Sequence, residues 1–310
     1  MIHELISSHK GEFAALLTAF FWAITAVSFE SASKKIGSLT VNLLRLIVAF
    51  AFLSIYSWIA RGVIFPTDAN THNWIWLSLS GLVGFVLGDL FLFKAYVVVG
   101  ARISMLIMAM APLVAALIGW AWLGETITLR QGFAMFLTFT GIALVILRRE
   151  LDNPEQLNGR RRKLQFSYPI AGLLLAFGGA VGQGGGLVLS KYGMADYDVF
   201  SSVQIRVLTG IFGFSMLISF LGRWARVRSA FSNRKALGRL SIGAFFGPFL
   251  GVSFSLWAVK FTTTGVASAI MSIVPVIIIP FSIFIMKEKF YPKELVGAVI
   301  AIAGVMLFFT

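Results

Sequence analysis

Ten blocks of about twenty largely apolar residues fill this 310-residue chain. They lie at about 12–30, 41–60, 74–97, 102–123 and 130–147, then at about 168–190, 199–221, 240–261, 265–286 and 293–309. Each is long enough to cross a hydrocarbon layer about 30 Å thick. Lipid offers the backbone no hydrogen bonds, so a lone crossing segment must satisfy its own and be helical. Only 13% of the residues are charged, against about 25% in soluble domains, which leaves too little polar surface to face water. The pattern predicts an all-α polytopic membrane protein with ten transmembrane helices.

Composition narrows the function. There is no cysteine, which excludes disulfides, thiolate metal sites and cysteine nucleophiles. The net charge of +13 sits in the gaps between apolar blocks, where basic residues orient a chain and meet anionic headgroups. It points to membrane lipids as partners and not to nucleic acid. His3, His9 and His72 lie outside the spans. No zinc-binding pair, nucleophile elbow or nucleotide-binding loop occurs, so no cofactor, metal or enzymatic activity is expected. Without an ATP site, work must come from a gradient. No short apolar core with a small-residue cleavage site marks a removable leader at the start.

The halves resemble one another. A shift of 163 residues places Gly88 on Gly251, Ala95 on Ala258, Pro112 on Pro275, Glu125 on Glu288 and Gly141 on Gly304. Arg45 and Arg206 correspond at a slightly different shift. The expected organisation is a first repeat over 1–147, a polar linker over 148–167 and a second repeat over 168–310. Because five is odd, a duplicated five-span unit enters the membrane from opposite sides, which makes an inverted repeat. Inverted repeats let two halves exchange conformations around a central site.

Six glycines crowd AFGGAVGQGGGLVLSK, residues 176–191. A phosphate loop would continue with Lys-Ser or Lys-Thr, and Leu187 follows instead. Gly178, Gly182, Gly186 and Ser190 fall at four-residue intervals, a small-residue stripe of the kind that lets helices touch in lipid. The same glycines can let the span bend as a gate, and Gln183 either faces substrate or bonds another helix.

Asp89 is the one acid well inside a span. A mid-bilayer charge costs about 2.5–3.5 kcal/mol on insertion scales, so it should face the bundle interior. It lies about 100° around the helix from Gly88, on a side shared with Phe85, Phe93 and Tyr96. An acid among aromatics suits a cationic or zwitterionic substrate or a proton relay; the structural alternative is a pair with Lys94 or Arg102. Arg45 and Arg206, near the starts of their spans, either snorkel to headgroups, hold a substrate carboxylate or close a gate by pairing with an acid. Pro112 and Pro275 each remove a backbone hydrogen bond in mid-span, giving candidate hinges. Trp22 and Trp257 are candidate cavity walls. Glu125 and Glu288 lie at span ends beside basic neighbours.

Two five-span halves joined by a polar linker resemble the drug/metabolite transporter superfamily, in its EamA-like bacterial branch. The stretches carrying the likeness are GDLFLFKAYVVVGARISMLIMAMAPLVAALIGWAWLGE (88–125) and TTTGVASAIMSIVPVIIIPFSIFIMKEK (262–289). The resemblance implies a gradient-dependent carrier in the bacterial inner membrane that exports small metabolites such as amino acids. It implies a central cavity lined by spans 1, 3, 4, 6, 8 and 9. The alternatives are an exchanger of phosphorylated or nucleotide-linked sugars, or a lipid-modifying enzyme or scaffold. A monomer would suffice for any of these.

Five basic residues (Lys10, Arg61, Arg130, Lys191 and Lys260) fall on the side of the N-terminus and nineteen on the other, with Arg45 and Arg206 inside spans. Charge bias therefore places both termini outside the cell, whereas the resemblance implies termini in the cytoplasm. In intact cells, an impermeant thiol reagent should label Ser8→Cys and spare Asn158→Cys; the reverse pattern would overturn the charge-based orientation.

Overall fold

A computed structural model describes residues 9–123, 128–149, 164–166, 168–262, 267, 270–286 and 292–309. Within them the first half comprises α1 (Lys10–Ile36), α2 (Ser38–Arg61), α3 (Thr71–Val98), α4 (Gly100–Met108), α5 (Ala111–Leu123) and α6 (Leu129–Ile146). The second comprises α7 (Ile170–Met194), α8 (Val199–Phe220), the short α9 (Trp224–Ala230), α10 (Arg234–Phe261), α11 (Val274–Met286) and α12 (Pro292–Phe309). Six of these, α1, α2, α3, α7, α8 and α10, are long and apolar enough to cross a membrane; shorter apolar helices account for the fourth, fifth and tenth blocks, and α11 lies in the ninth. The ends of the polar linker pair as a two-stranded antiparallel ribbon, β1 (Leu147–Arg149) against β2 (Leu164–Phe166), with Arg148 opposite Gln165. Glu125 and Glu288 lie outside the described residues.

The duplication read from the sequence reappears as geometry. A π-turn at Leu82–Gly88 interrupts α3, and one at Phe245–Gly251 interrupts α10, 163 residues later. The fourth block breaks at Ala109–Met110, so Pro112 opens α5 from its first turn instead of kinking a continuous helix. The ninth block breaks at Ser272–Ile273, and Pro275 stands in the same place in α11. Proline is favoured in a first turn, where its missing N–H has no helical partner to lose.

Packing between the halves is reciprocal. A Cβ on Gly141 of α6 would collide with Ala301 of α12, and one on Gly304 would lie 2.6 Å from the backbone nitrogen of Thr138. Ala301 and Thr138 are themselves 163 residues apart. In the same way α1 lies along α10, with Trp22 against Gly251, while α7 lies along α3, with Gly182 against Gly88. The Gly141–Ala301 and Gly182–Gly88 contacts are backbone-to-backbone approaches that only small residues permit, the usual source of helix association in lipid, whereas Gly251 receives the Trp22 ring.

The stripe read from the sequence is that surface. Gly182 faces Gly88, Gly186 faces Gly84, and Ser190 exchanges a 2.7 Å hydrogen bond with Ser80. Gly178 meets the ring of Phe91. Gly182→Ala should therefore lower stability in detergent by about 1–3 kcal/mol, the usual penalty of overpacking. Gly238→Ala, with nothing within 4 Å of the added atom, should be neutral or stabilising by up to about 1 kcal/mol. Thermal unfolding of the two variants checks both.

Candidate functional site

The close approach of α3 to α7 sets Gln183 beside the π-turn of α3, immediately after which comes Asp89. The Asp89 side chain is buried at 3% exposure, and three neighbours hold it. Arg45 of α2 forms an ion pair with Oδ2, and Gln183 Nε2 donates to Oδ1 at 2.9 Å. Asn42, one turn before Arg45 on the same helix face, donates to the Asp89 carbonyl at 3.2 Å and accepts from Arg45 Nε at 3.1 Å.

Arg45 does not snorkel. Its side chain is enclosed by rings, with the guanidinium carbon 4.5 Å from the centre of Phe93, 5.5 Å from Phe29 and 5.6 Å from Phe85. Arg206 of α8 is equally buried, at 3%. It stacks over Phe85 at 4.7 Å, so one ring serves two guanidinium groups. No carboxylate among the described residues pairs with Arg206, and its Nε has no hydrogen-bond partner. The repeat explains the imbalance: at the 163-residue shift the counterpart of Asp89 is Val252. Two buried cations thus share one buried anion.

These groups line a hollow with two compartments. The first, 60 Å³, contains Asp89, Arg45, Phe93, Tyr96 and Gln183. The second, 70 Å³, contains Arg206, Pro112, Pro275, Ser255 and Ser272. Trp22, Met105, Met108, Gln183 and Val252 line both, so the two compartments adjoin. Spans 1, 3, 4, 6, 8 and 9 contribute, as the resemblance implied, and spans 2 and 7 each reach in with an arginine. Tyr96 Oη donates to Met105 Sδ at 3.3 Å. The combined space holds a few waters and falls short of the roughly 300 Å³ typical of a ligand pocket.

Trp257 does not join this wall. It is 37% exposed and packs edge-on against Phe254 and Phe261. Gly178, Gly182 and Gly186 also stay out of the lining and belong to the α3–α7 contact. The structural partner of Asp89 is Arg45, neither Lys94 nor Arg102: Lys94 projects from the exposed side of α3. Sequence reading passed over two groups. Asn42 had a signal, its three-residue spacing from Arg45. Glu30, 1% exposed, pairs with Lys34 one turn on and accepts the Ala101 N–H at 2.7 Å, capping the first turn of α4. Only the Lys34 spacing was visible beforehand.

A second polar cluster closes the far end of α2. Arg61 bonds Asp68, Ser201 and, at 3.5 Å, Asp198, while Tyr197 Oη donates to Asp68 at 2.8 Å. Burial would raise the Asp68 carboxyl, but the hydrogen bonds from Tyr197 and Arg61 prevail and hold it below the ordinary aspartate range.

Breaking a buried pair from one side costs about 3–5 kcal/mol because the remaining charge is uncompensated. Asp89→Asn should therefore destabilise the protein by roughly that amount. Arg45→Met with Asp89→Leu, which removes both charges, should recover most of it. Unfolding in detergent measures both, and equal loss in the two variants would show that the pair is not the source.

A family model described as the EamA-like transporter family matches the chain twice, over residues 9–147 and 170–310. Among solved structures, one described only as the crystal structure of a protein superposes with a TM-score of 0.60. That match covers 97% of this chain and 96% of the other at 16% identity, a likeness of fold. No curated protein matches the chain.

Proposed function

The chain belongs to the EamA-like transporter family, and from that premise we propose that it is a secondary carrier exporting small amphipathic metabolites, amino acids among them. In this reading ten membrane-crossing segments form two inverted five-helix repeats in the bacterial inner membrane. Matched π-turns, matched helix breaks and reciprocal glycine contacts support the pairing of the repeats. The observation that carries the reading is the buried polar hollow between the halves, which a structural bundle has no need of.

The residues divide the work. Arg206 is a buried charge that shares Asp89 with Arg45 and has no carboxylate of its own among the described residues; a substrate carboxylate would offset that shortfall. Phe85, Phe93 and Trp22 offer ring faces to an ammonium or apolar portion. Asp89, held by Arg45 and Gln183, is the group able to exchange a proton with the gradient, loosening its grip on Arg45 when protonated. A sugar phosphate would want a second free cation, and Arg45 is already held, so the exchanger reading ranks lower. The hollow is too small for a bound amino acid and must enlarge for passage. The helix breaks before Pro112 and Pro275 are the places where α5 and α11 can swing, against a glycine-bearing α7. No cofactor is required, and one chain supplies the whole path.

Reconstitution tests this. Proteoliposomes bearing a pH gradient should show protein-dependent flux of labelled amino acids. Arg206→Gln should raise the apparent KM of carboxylate substrates by about tenfold or more, as expected for a lost hydrogen bond to a charged group. It should leave the KM of the corresponding amides little changed. Asp89→Asn should abolish the response to the pH gradient. Absence of flux across the panel would sink the proposal, and equal effects of Arg206→Gln on acids and amides would remove its carboxylate role.

A further inference from the structure

We propose that the groove where α1 ends and α2 begins is a binding site for one anionic phospholipid, with its phosphate at the start of α2 and an acyl chain along α3 and α8. The proposal stands apart from transport.

Gly37 joins α1 to α2 with a φ of 87°, a left-handed conformation that an L side chain would adopt only under strain. It leaves the N-terminus of α2 without a side-chain cap and without an acid in the first turn. The first intrahelical bond is from Val41 N–H to Gly37 O, so the N–H groups before it have no partner within the helix. An uncapped helix start presents about half a positive charge and free donors, which suits a phosphate.

Arg226 makes the point sharper. A Cβ on Gly37 would lie 3.6 Å from Arg226 Cδ and 3.8 Å from its Nη1. A guanidinium is therefore held at the junction where the carbonyl end of α1 meets the N–H end of α2, and it adds a positive charge beside the free donors of α2. Lys94 and Arg223 line the same 470 Å³ cavity, and Lys35 lines a 270 Å³ cavity that shares Ser33, Gly37 and Arg226 with it. No carboxylate among the described residues pairs with any of these four cations.

A buried hydroxyl points to the same ligand. Ser33 is 2% exposed, lines both cavities, and its Oγ has no hydrogen-bond partner. In the proposal this donor is available to a phosphate oxygen. The remaining wall is aliphatic: Leu90, Val97 and Val98 of α3 face Leu217 and the exposed Leu221 at the end of α8. A soluble phosphate would have no use for that wall, whereas a phospholipid fills both parts. Basic pockets between helices at this level are general lipid-headgroup sites.

Native mass spectrometry of the full chain in detergent, with phosphatidylglycerol or phosphatidylcholine added, tests this. The protein should retain one phosphatidylglycerol in preference to phosphatidylcholine. Arg223→Gln with Arg226→Gln should weaken that retention about 25-fold, roughly fivefold for each lost charge near the headgroup level. Ser33→Ala, a milder change, should weaken it in the same direction if the double variant fails to fold. Equal retention of the two lipids, or retention unaffected by these substitutions, would overturn the site. Displacement of the lipid by excess inorganic phosphate, with phosphate held in its place, would make the groove an ion site and overturn the lipid assignment.

Discussion

The backbone-to-backbone contact of α3 with α7 organises the rest. Gly88 and Gly182 approach so closely that a methyl group on either would have to displace main chain. In lipid no hydrophobic drive pulls helices together, and close dispersion contact takes its place. That contact fixes the rotation of α7, which aims Gln183 at Asp89. The adjacent π-turn, an irregularity often found at functional sites, sets Asp89 toward the bundle interior. In the other half Gly251, the repeat counterpart of Gly88, receives the Trp22 side chain of α1, which brings the opposite wall of the hollow into place.

The duplication is faithful in backbone and unfaithful in charge. Helix breaks and π-turns recur at one shift, and so do the glycines that close the halves on each other. Asp89 has no partner in the second repeat, where Val252 stands. A symmetric frame thus encloses an asymmetric hollow, with one paired and one unpaired guanidinium sharing the ring of Phe85. The proposed carrier would use the backbone symmetry to exchange conformations and the side-chain asymmetry to bind its substrate.

Much of this was legible in the residues themselves. Apolar blocks of about twenty residues leave a membrane chain no choice but helices, because lipid cannot solvate a peptide group. A charge in a span must turn inward, so the inward placement of Asp89 could be expected. The small-residue period of α7 announced a contact surface. What stayed hidden was partnership: Arg45 lies 44 positions before Asp89 and Gln183 lies 94 after it, and no local spacing links them. Arginine near a helix start reads equally well as a headgroup anchor, and only burial among Phe29, Phe85 and Phe93 shows otherwise. Trp257 shows the converse, since an aromatic in mid-span can as easily face outward.

The chain alone determined that the apolar blocks are helical, that they are duplicated and which residues are too polar to face lipid, since each follows from local chemistry against a solvent that forbids unpaired groups. Tertiary structure alone decided which helix turns which face to which neighbour, because that depends on sub-ångström fits between distant surfaces. From those fits come the Arg45–Asp89 pair, the unmatched charge of Arg206 and the basic groove at Gly37.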